Sequence, residues 1–231
     1  MSTLEGTSVI FDLDGTLVDS EPNYFEAGRR TLAGQGVTDF TWAEHEKYIG
    51  ISTQETLALW KERYGLTAPL ESLLAEKNRR YLELARASTR VYPEMRAFVE
   101  LLAAAGVPMA VASGSSPEAI EAILAGTGLD SRLTTVVSAD EVPHGKPAPD
   151  VFLEAARRLG AAPADCVVLE DAVPGAVAAH AAGMRCIAVP CLPAQAGDPA
   201  FARADLLVRG GQAEFTARAA YDWLASGAPR S

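Results

Sequence analysis

The chain has 231 residues, of which 48% are hydrophobic, and its 20 basic and 30 acidic residues give a formal net charge of −10. This length suits one large domain or a core domain with an insertion, with enough apolar residues to form a substantial core. The acidic balance argues against nucleic acids and anionic membrane surfaces as partners.

The first predicted element is a short buried strand that ends in two acidic residues. Val9 to Phe11 form an apolar run too short for a helix, and Asp12 and Asp14 follow it. Ligands of open α/β sheets lie beyond the carboxyl ends of strands, and side chains two residues apart on an extended backbone point the same way. Both carboxylates can therefore reach one point, where a bound cation or a retained proton would relieve their repulsion. A solvated Asp-x-Asp-Gly turn is the alternative.

From Ser20 to Ser88 the sequence predicts helices and no strand. Glycines separate the helical patterns, and half of the aromatic residues of the chain lie in this segment. We interpret these aromatic side chains as the packing of a small helical bundle.

An α/β alternation begins after this segment. The predicted strand Met109 to Ala112 leads through Ser113 and Gly114 into a helix that Ser116 would cap. Small residues between a strand and a helix N-terminus offer backbone N–H groups to an anion, although Ser-Gly-Ser-Ser is also an ordinary loop.

The next predicted strand, Thr134 to Ser138, precedes a lysine in a stiff setting. Lys146 lies between Gly145 and Pro147, and the other three lysines of the chain all lie in the helical segment. A solvated surface charge is the usual role of a single lysine, but its isolation in the α/β part favours a site residue.

A fourth strand, Cys166 to Leu169, ends in Glu170 and Asp171. Adjacent residues on a strand point to opposite faces, so at most one of these acids is expected to face the same point as Asp12 unless the loop turns. The later strands, at 185–189 and 206–208, and a closing helix complete the pattern. The predicted fold is α/β, with a doubly wound, mostly parallel sheet flanked by helices.

The stretch from Phe11 to Ser20 resembles the first motif of the haloacid dehalogenase-like phosphohydrolases. The stretches around Ser113, Lys146 and Asp171 resemble the second, third and fourth motifs, in the family's order and each at a predicted strand end. The resemblance covers essentially the whole chain. It implies a Rossmann-like core at residues 1–17 and 89–231, with a small helical cap inserted at residues 18–88.

The same resemblance implies the roles of individual residues. Asp12 would be the nucleophile that forms an aspartyl phosphate, and Asp14 the general acid and base. The lysine of the third motif neutralises the nucleophile and the phosphate, and the residues that contact the phosphoryl group would be Thr16, Ser113, Gly114 and Lys146. Mg²⁺ is the implied cofactor, and its ligands would be Asp12, Asp171, a backbone oxygen of Asp14 and, directly or through water, Glu170.

Three further hypotheses concern the type of activity. β-Phosphoglucomutase-type mutases carry an arginine shortly after the glycine that corresponds to Gly50, where this chain has Thr53, and a histidine where it has Tyr24. Lys77 matches a cap lysine of that type, so Thr53 and Lys77 are candidate substrate-binding residues, but two departures against one match favour a phosphatase. A dehalogenase would lack the acid at Asp14. A non-catalytic metabolite-binding protein would need neither a nucleophile nor a general acid, so the complete set of Asp12, Asp14, Lys146 and Asp171 argues against it.

The expected partner is a small phosphorylated metabolite, with no nucleic acid and no membrane. The stretch Val111–Ser116 is similar to that of bacterial phosphatases acting on sugar and sugar-alcohol phosphates. Three cysteines without a disulfide spacing, and no secretory signal or apolar run of about 20 residues, predict a cytoplasmic protein. We expect it to be monomeric.

Overall fold

The computed structural model describes residues 4–49 and 53–227. The strands in chain order are β1 (Ser8–Phe11), β2 (Val18–Asp19), β3 (Arg90–Val91), β4 (Met109–Ser113), β5 (Thr135–Ser138), β6 (Cys166–Glu170), β7 (Arg185–Ala188) and β8 (Leu206–Leu207). The α-helices are α1 (Glu21–Ala33), α2 (Trp42–His45), α3 (Thr53–Tyr64), α4 (Leu70–Ser88), α5 (Pro93–Ala104), α6 (Pro117–Thr127), α7 (Asp150–Leu159), α8 (Val173–Ala181) and α9 (Ala217–Ala225). Short 3₁₀ turns lie at Glu46–Tyr48, Ala139–Glu141, Pro163–Asp165, Pro193–Gln195, Phe201–Arg203 and Gly211–Ala213.

Six strands form one sheet in the order β5-β4-β1-β6-β7-β8, and all of its neighbouring strands are parallel. In β1, Val9 pairs with Met109 on one side and with Val167 on the other. The residues of β1, β4 and β6 are all buried, as expected for parallel strands covered on both faces. The predicted doubly wound α/β fold is therefore confirmed.

Helices cover the sheet through apolar side chains. The amphipathic helix α7 places Val151, Phe152 and Ala155 in one core cluster with Ile10 of β1 and Val168 of β6. This packing fixes the position of the strands, and with them the residues that follow the strand ends.

The chain divides into two compact units, one formed by Met1–Asp19 and Arg90–Ser231 and the other by Ser20–Thr89. The chain leaves the first unit after Asp19 and returns to it at Arg90. These residues belong to a two-stranded antiparallel ribbon of the first unit, in which Val18 pairs with Val91 and Asp19 with Arg90. No sequence pattern indicates this ribbon, because two-residue strands are too short to show a periodicity. We refer to the first unit as the core unit and to the second as the helical unit.

The helical unit has its own apolar core, in which Leu32, Leu57, Trp60 and Leu73 are buried together with Phe40. Its described residues contain helices and no strand, as the sequence predicted. That this unit acts as the cap of the family remains a prediction.

Several predicted strand boundaries differ from the observed ones by one residue. The strand predicted at 185–189 ends at Ala188, and the strand predicted at 206–208 ends at Leu207. Among the described residues, no helix combines the length and the apolarity needed to cross a membrane.

Candidate active site

The carboxyl edge of the sheet brings three of the predicted site residues to neighbouring strand ends. Asp12 directly follows β1, Ser113 is the last residue of β4, and Glu170 is the last residue of β6. The backbone N–H of Asp12 donates to the carbonyl of Leu169 at 2.9 Å, so the sheet still fixes the backbone at this point.

Lys146 connects two of these carboxylates. Its ammonium donates to Asp12 Oδ1 at 2.5 Å and to Glu170 Oε1 at 2.6 Å. Only 11% of its side chain is exposed, and the ammonium lies 4.8 Å from the centroid of the Phe152 ring. These contacts exclude the alternative of a solvated surface lysine.

The carboxylates of Asp12, Glu170 and Asp171 converge within 4.8 Å of one another. Both adjacent acids therefore face Asp12, which is the exception that the sequence analysis allowed for a turning loop. Strand alternation does not extend to Asp171, which lies beyond the end of β6. There the backbone turns around Glu170, whose Oε2 accepts the N–H groups of Asp171 at 2.9 Å and of Ala172 at 3.0 Å.

Burial and mutual repulsion change the ionisation of this cluster. Burial raises the pKa of Asp12 well above its ordinary value, Glu170 and Asp171 raise it further, and Lys146 opposes the shift. Burial and the neighbouring Glu170 raise the pKa of Asp171 to about 7. Burial lowers the pKa of Lys146, but the two carboxylates outweigh it and the net shift is upward, so this lysine stays charged.

This donor set fits a hard divalent cation. One ammonium lies beside three buried carboxylates, so the negative charge of the ionised cluster exceeds its positive charge. Carboxylate oxygens are the ligands that Mg²⁺ prefers, usually with waters and substrate oxygens in the remaining positions. The carboxylate of Asp14 does not belong to this group.

The loop after β1 lies directly against Asp171. The Thr16 hydroxyl is buried and donates to Asp171 Oδ1 at 2.9 Å. Gly15 has a φ of +82°, and a Cβ at this position would overlap the Asp171 carboxylate. Thr16 therefore orients a candidate metal ligand in this structure, and its predicted contact with phosphate remains a prediction.

Asp14 faces a different set of groups. Its Oδ2 accepts a hydrogen bond from the Ser115 hydroxyl at 2.7 Å, with the Ser113 hydroxyl at 3.5 Å. The Ser113 hydroxyl accepts the N–H of Ser115 at 3.0 Å, and Ser138 donates to the Ser115 carbonyl at 2.7 Å. Gly114 is exposed beside them. The two carboxylates of the first motif thus have different surroundings. Asp12 contacts the Lys146 ammonium, and Asp14 contacts hydroxyl groups.

The sequence prediction missed two residues of this site. It assigned no role to Ser115, although spacing by two from Ser113 would have indicated it. Gln212, from the 3₁₀ turn after β8, donates through Nε2 to the carbonyls of Gly15 at 3.2 Å and Thr16 at 2.9 Å. No local pattern marks this glutamine, because its contacts lie almost 200 residues away in the chain.

The other two predicted substrate-binding residues lie in the helical unit. Lys77 is 4% exposed, and its ammonium lies 3.4 Å from the Thr53 hydroxyl and 5.1 Å from the centroid of the Tyr24 ring. Burial lowers the pKa of Lys77 to about 8, with Glu21 opposing the shift. Gly50, the reference position for the mutase comparison, lies outside the described residues.

Comparisons with known proteins place the chain in one family. The family model described as "Hydrolase: haloacid dehalogenase-like hydrolase" matches residues 7–183. Hexitol phosphatase B of Escherichia coli (strain K12) is 34% identical over 200 residues, which cover 86% of this chain and 90% of that protein.

A second relative is the bifunctional riboflavin kinase/FMN phosphatase of Arabidopsis thaliana. It is 37% identical over 191 residues, which cover 81% of this chain but only 49% of that protein. The chain thus spans about half the length of this relative.

The architecture also resembles solved structures. A putative beta-phosphoglucomutase from Thermotoga maritima superposes with a TM-score of 0.77 at 26% identity, covering 95% of this chain and 99% of that one.

Proposed function

The chain belongs to the haloacid dehalogenase-like hydrolase family and is a phosphatase, and we propose that it hydrolyses a small sugar or sugar-alcohol phosphate with Mg²⁺ and an aspartyl-phosphate intermediate. The name of the hexitol phosphatase relative supports this substrate class. The acidic cluster supports the metal.

The observation that carries the proposal is the arrangement around Lys146. A buried ammonium touches the Asp12 carboxylate at 2.5 Å, while Asp14, two residues away, contacts hydroxyl groups instead. One carboxylate thereby lies against a cation, and the other lies among hydroxyl groups. A nucleophile and a general acid need this division of roles.

In the first step, an Asp12 oxygen attacks phosphorus and forms a P–O bond, while the bond between phosphorus and the substrate oxygen breaks. Asp14 gives its proton to the departing alkoxide, which leaves as the alcohol. Lys146 holds the carboxylate oxygen in place and offsets the negative charge of the phosphate.

In the second step, Asp14 takes a proton from a water molecule that attacks the aspartyl phosphate. Inorganic phosphate leaves, and Asp12 becomes a carboxylate again. Mg²⁺, held by Asp12 and Asp171, with Glu170 and a backbone oxygen of Asp14 as further proposed ligands, would neutralise phosphate charge when bound. Thr16 keeps Asp171 oriented for this role.

A sugar-phosphate mutase is the second candidate, favoured by the match of Lys77 and by the similarity to a putative beta-phosphoglucomutase. Two features of the helical unit support hydrolysis instead. Thr53, where the mutases carry arginine, adds no positive charge beside Lys77. Tyr24, where they carry histidine, stacks on Tyr81 with ring centroids 4.1 Å apart. A bisphosphate would therefore meet a neutral hydroxyl beside Lys77 where a mutase offers an arginine.

A panel of sugar, sugar-alcohol and aryl phosphates, assayed for phosphate release, tests the proposal. We expect turnover with Mg²⁺, none after chelation, and inhibition by Ca²⁺, whose looser geometry and larger coordination number would draw both oxygens of Asp12 onto the metal. Full activity of the metal-stripped protein in chelator would contradict the metal dependence. Absence of turnover on every phosphate, including p-nitrophenyl phosphate, would favour a non-catalytic binding protein.

The mutase is tested by following β-glucose 1-phosphate and glucose 6-phosphate with a bisphosphate primer present. We expect phosphate release to exceed interconversion. The opposite result would show that the protein is a mutase and that Lys77 binds the distal phosphate of the bisphosphate.

The three cysteines are free thiols, which supports a reducing cytoplasm as the proposed location.

A further inference from the structure

The loop that carries Asp14 and Thr16 satisfies its carbonyl groups in two different ways. The carbonyls of Leu13 and Val18 accept N–H groups from within the loop, at 2.9 to 3.1 Å. Those of Gly15 and Thr16 accept from the Gln212 side chain. Since backbone carbonyls of buried segments need donors, the side chain of a distant turn supplies the donor for two carbonyls of this loop.

The orientation of the Gln212 amide is fixed by chemistry. Turning the amide over would place its oxygen against two carbonyl oxygens, so the NH₂ group must face the loop. The opposite atom, Oε1, is buried and accepts no hydrogen bond from the described residues. A buried acceptor without a donor is unfavourable, so the contacts that keep this side chain in place are those of its NH₂ group.

We infer that Gln212 is a positioning residue for the reaction, and that it holds the first-motif loop so that Asp14 and Thr16 keep their places. This inference rests on the proposed function. The two carbonyls that accept from Gln212 belong to the peptide groups that link Gly15 to Thr16 and Thr16 to Leu17, directly after Asp14. On the other side, Thr16 and Gly15 lie against Asp171. The loop is therefore fixed between Asp171 and Gln212.

Loss of the Gln212 hydrogen bonds should displace Asp14 most directly, because Asp14 directly precedes Gly15 in the chain. Its carboxylate must reach the leaving oxygen, and a displacement of about 1 Å at a reacting group lowers a rate by about 100-fold. Asp12 is less affected, because β1 and the Lys146 ammonium hold it independently. Loss of Gln212 should thus impair proton donation more than nucleophilic attack.

The leaving group separates these two effects. p-Nitrophenolate departs without a proton, whereas the alkoxide of a sugar-alcohol phosphate needs one from Asp14. The ratio kcat/KM reports the steps up to the departure of the alcohol, before hydrolysis of the aspartyl phosphate. It is to be measured with Mg²⁺ on sorbitol 6-phosphate and on p-nitrophenyl phosphate.

Gln212→Leu removes the donor at similar size, and Gln212→Glu keeps the shape but places oxygens against the two carbonyls. For both variants we expect kcat/KM to fall about 30-fold on sorbitol 6-phosphate and less than about threefold on p-nitrophenyl phosphate. The matched control is Gln35→Leu, at an exposed glutamine, which should change neither value. Thermal unfolding of each variant shows whether it is folded.

Equal losses on the two substrates, in whichever variant folds, would overturn the inference, because a merely structural role lowers both equally. No loss on either substrate would overturn it as well. If the unsubstituted protein hydrolyses neither substrate, the proposed function has failed. An active protein with unaffected Gln212 variants refutes only the positioning role.

Discussion

Two buried lysines, one in each unit, show how differently the same side chain is used. Lys146 of the core unit contacts two carboxylates at 2.5 and 2.6 Å, and its pKa is raised. Lys77 of the helical unit contacts a hydroxyl at 3.4 Å and an aromatic ring, and burial lowers its pKa to about 8.

The difference lies in the partners and not in the degree of burial. Desolvation lowers the pKa of both ammonium groups, and only close carboxylates reverse this effect. Lys146 is thus a permanent part of a charged cluster. Lys77 is a desolvated cation whose charge an anion would stabilise, which fits its predicted role in binding substrate.

The largest effect is expected at the carboxylate that Lys146 touches. Asp12→Asn keeps the shape and removes the nucleophilic charge, so turnover should fall by at least about 10⁴-fold with folding intact. Weaker Mg²⁺ binding should accompany this loss. Phosphate release and circular dichroism are the measurements, and retained turnover in the folded variant would rule out the aspartyl-phosphate mechanism.

Lys146→Ala tests the cation itself. Removing one charge contact of about 4 kcal/mol, at about 4 Å and an effective dielectric near 20, should slow turnover about 10³-fold. Lys146→Arg should restore only part of the activity, because a planar guanidinium does not fit between two carboxylates placed for a compact ammonium. A loss of less than about threefold in the Ala variant would show that this lysine has no part in the reaction.

A smaller and more selective effect is expected for Lys77→Met, which keeps the volume and removes the charge. If Lys77 binds substrate, the KM for a sugar phosphate should rise about tenfold, as for the loss of one charged hydrogen bond. The matched control is Lys47→Met, at an exposed lysine paired with Glu44. An unchanged KM for every sugar phosphate tested would assign Lys77 to packing alone.

The smallest effect concerns stability without metal. The pKa of Asp171 is raised in the folded state to about 7, above its ordinary value of 3.8. Its stabilising contribution is therefore complete below about pH 4 and is lost as the pH rises through about 7. Asp171→Asn, which can still accept the Thr16 hydroxyl, should raise the Tm of the metal-free protein by about 2–4 °C at pH 8.

At pH 5 the gain in Tm from Asp171→Asn should be smaller than at pH 8, because pH 5 lies between the unfolded and folded pKa values of Asp171 and only part of its stabilising contribution is then lost. Added Mg²⁺ at pH 8 should favour the unsubstituted protein. Calorimetric scans at the two pH values decide this prediction, and a lower Tm of the variant at pH 8 without metal would contradict it.

The sequence by itself determined the fold class and predicted which residues lie at the strand ends of the candidate site. Apolar runs too short for helices, each followed by Asp12, Ser113 or Glu170, give parallel strands whose carboxyl ends meet at one edge. The family motifs placed Lys146 with them. This much is local, since a strand and the residue that ends it are neighbours in the chain.

Only the tertiary structure decided which groups touch. The convergence of both Glu170 and Asp171 with Asp12 depends on a turn beyond β6 that strand alternation does not describe. The different surroundings of Asp14 and Asp12 depend on the hydrogen bond from Ser115 to Asp14. The position of the loop that follows Asp14 depends on the hydrogen bonds from Gln212. These contacts join residues about 100 to 200 positions apart, and a side chain leaves no periodic pattern in the sequence when its partner is fixed only by the packing of the whole sheet.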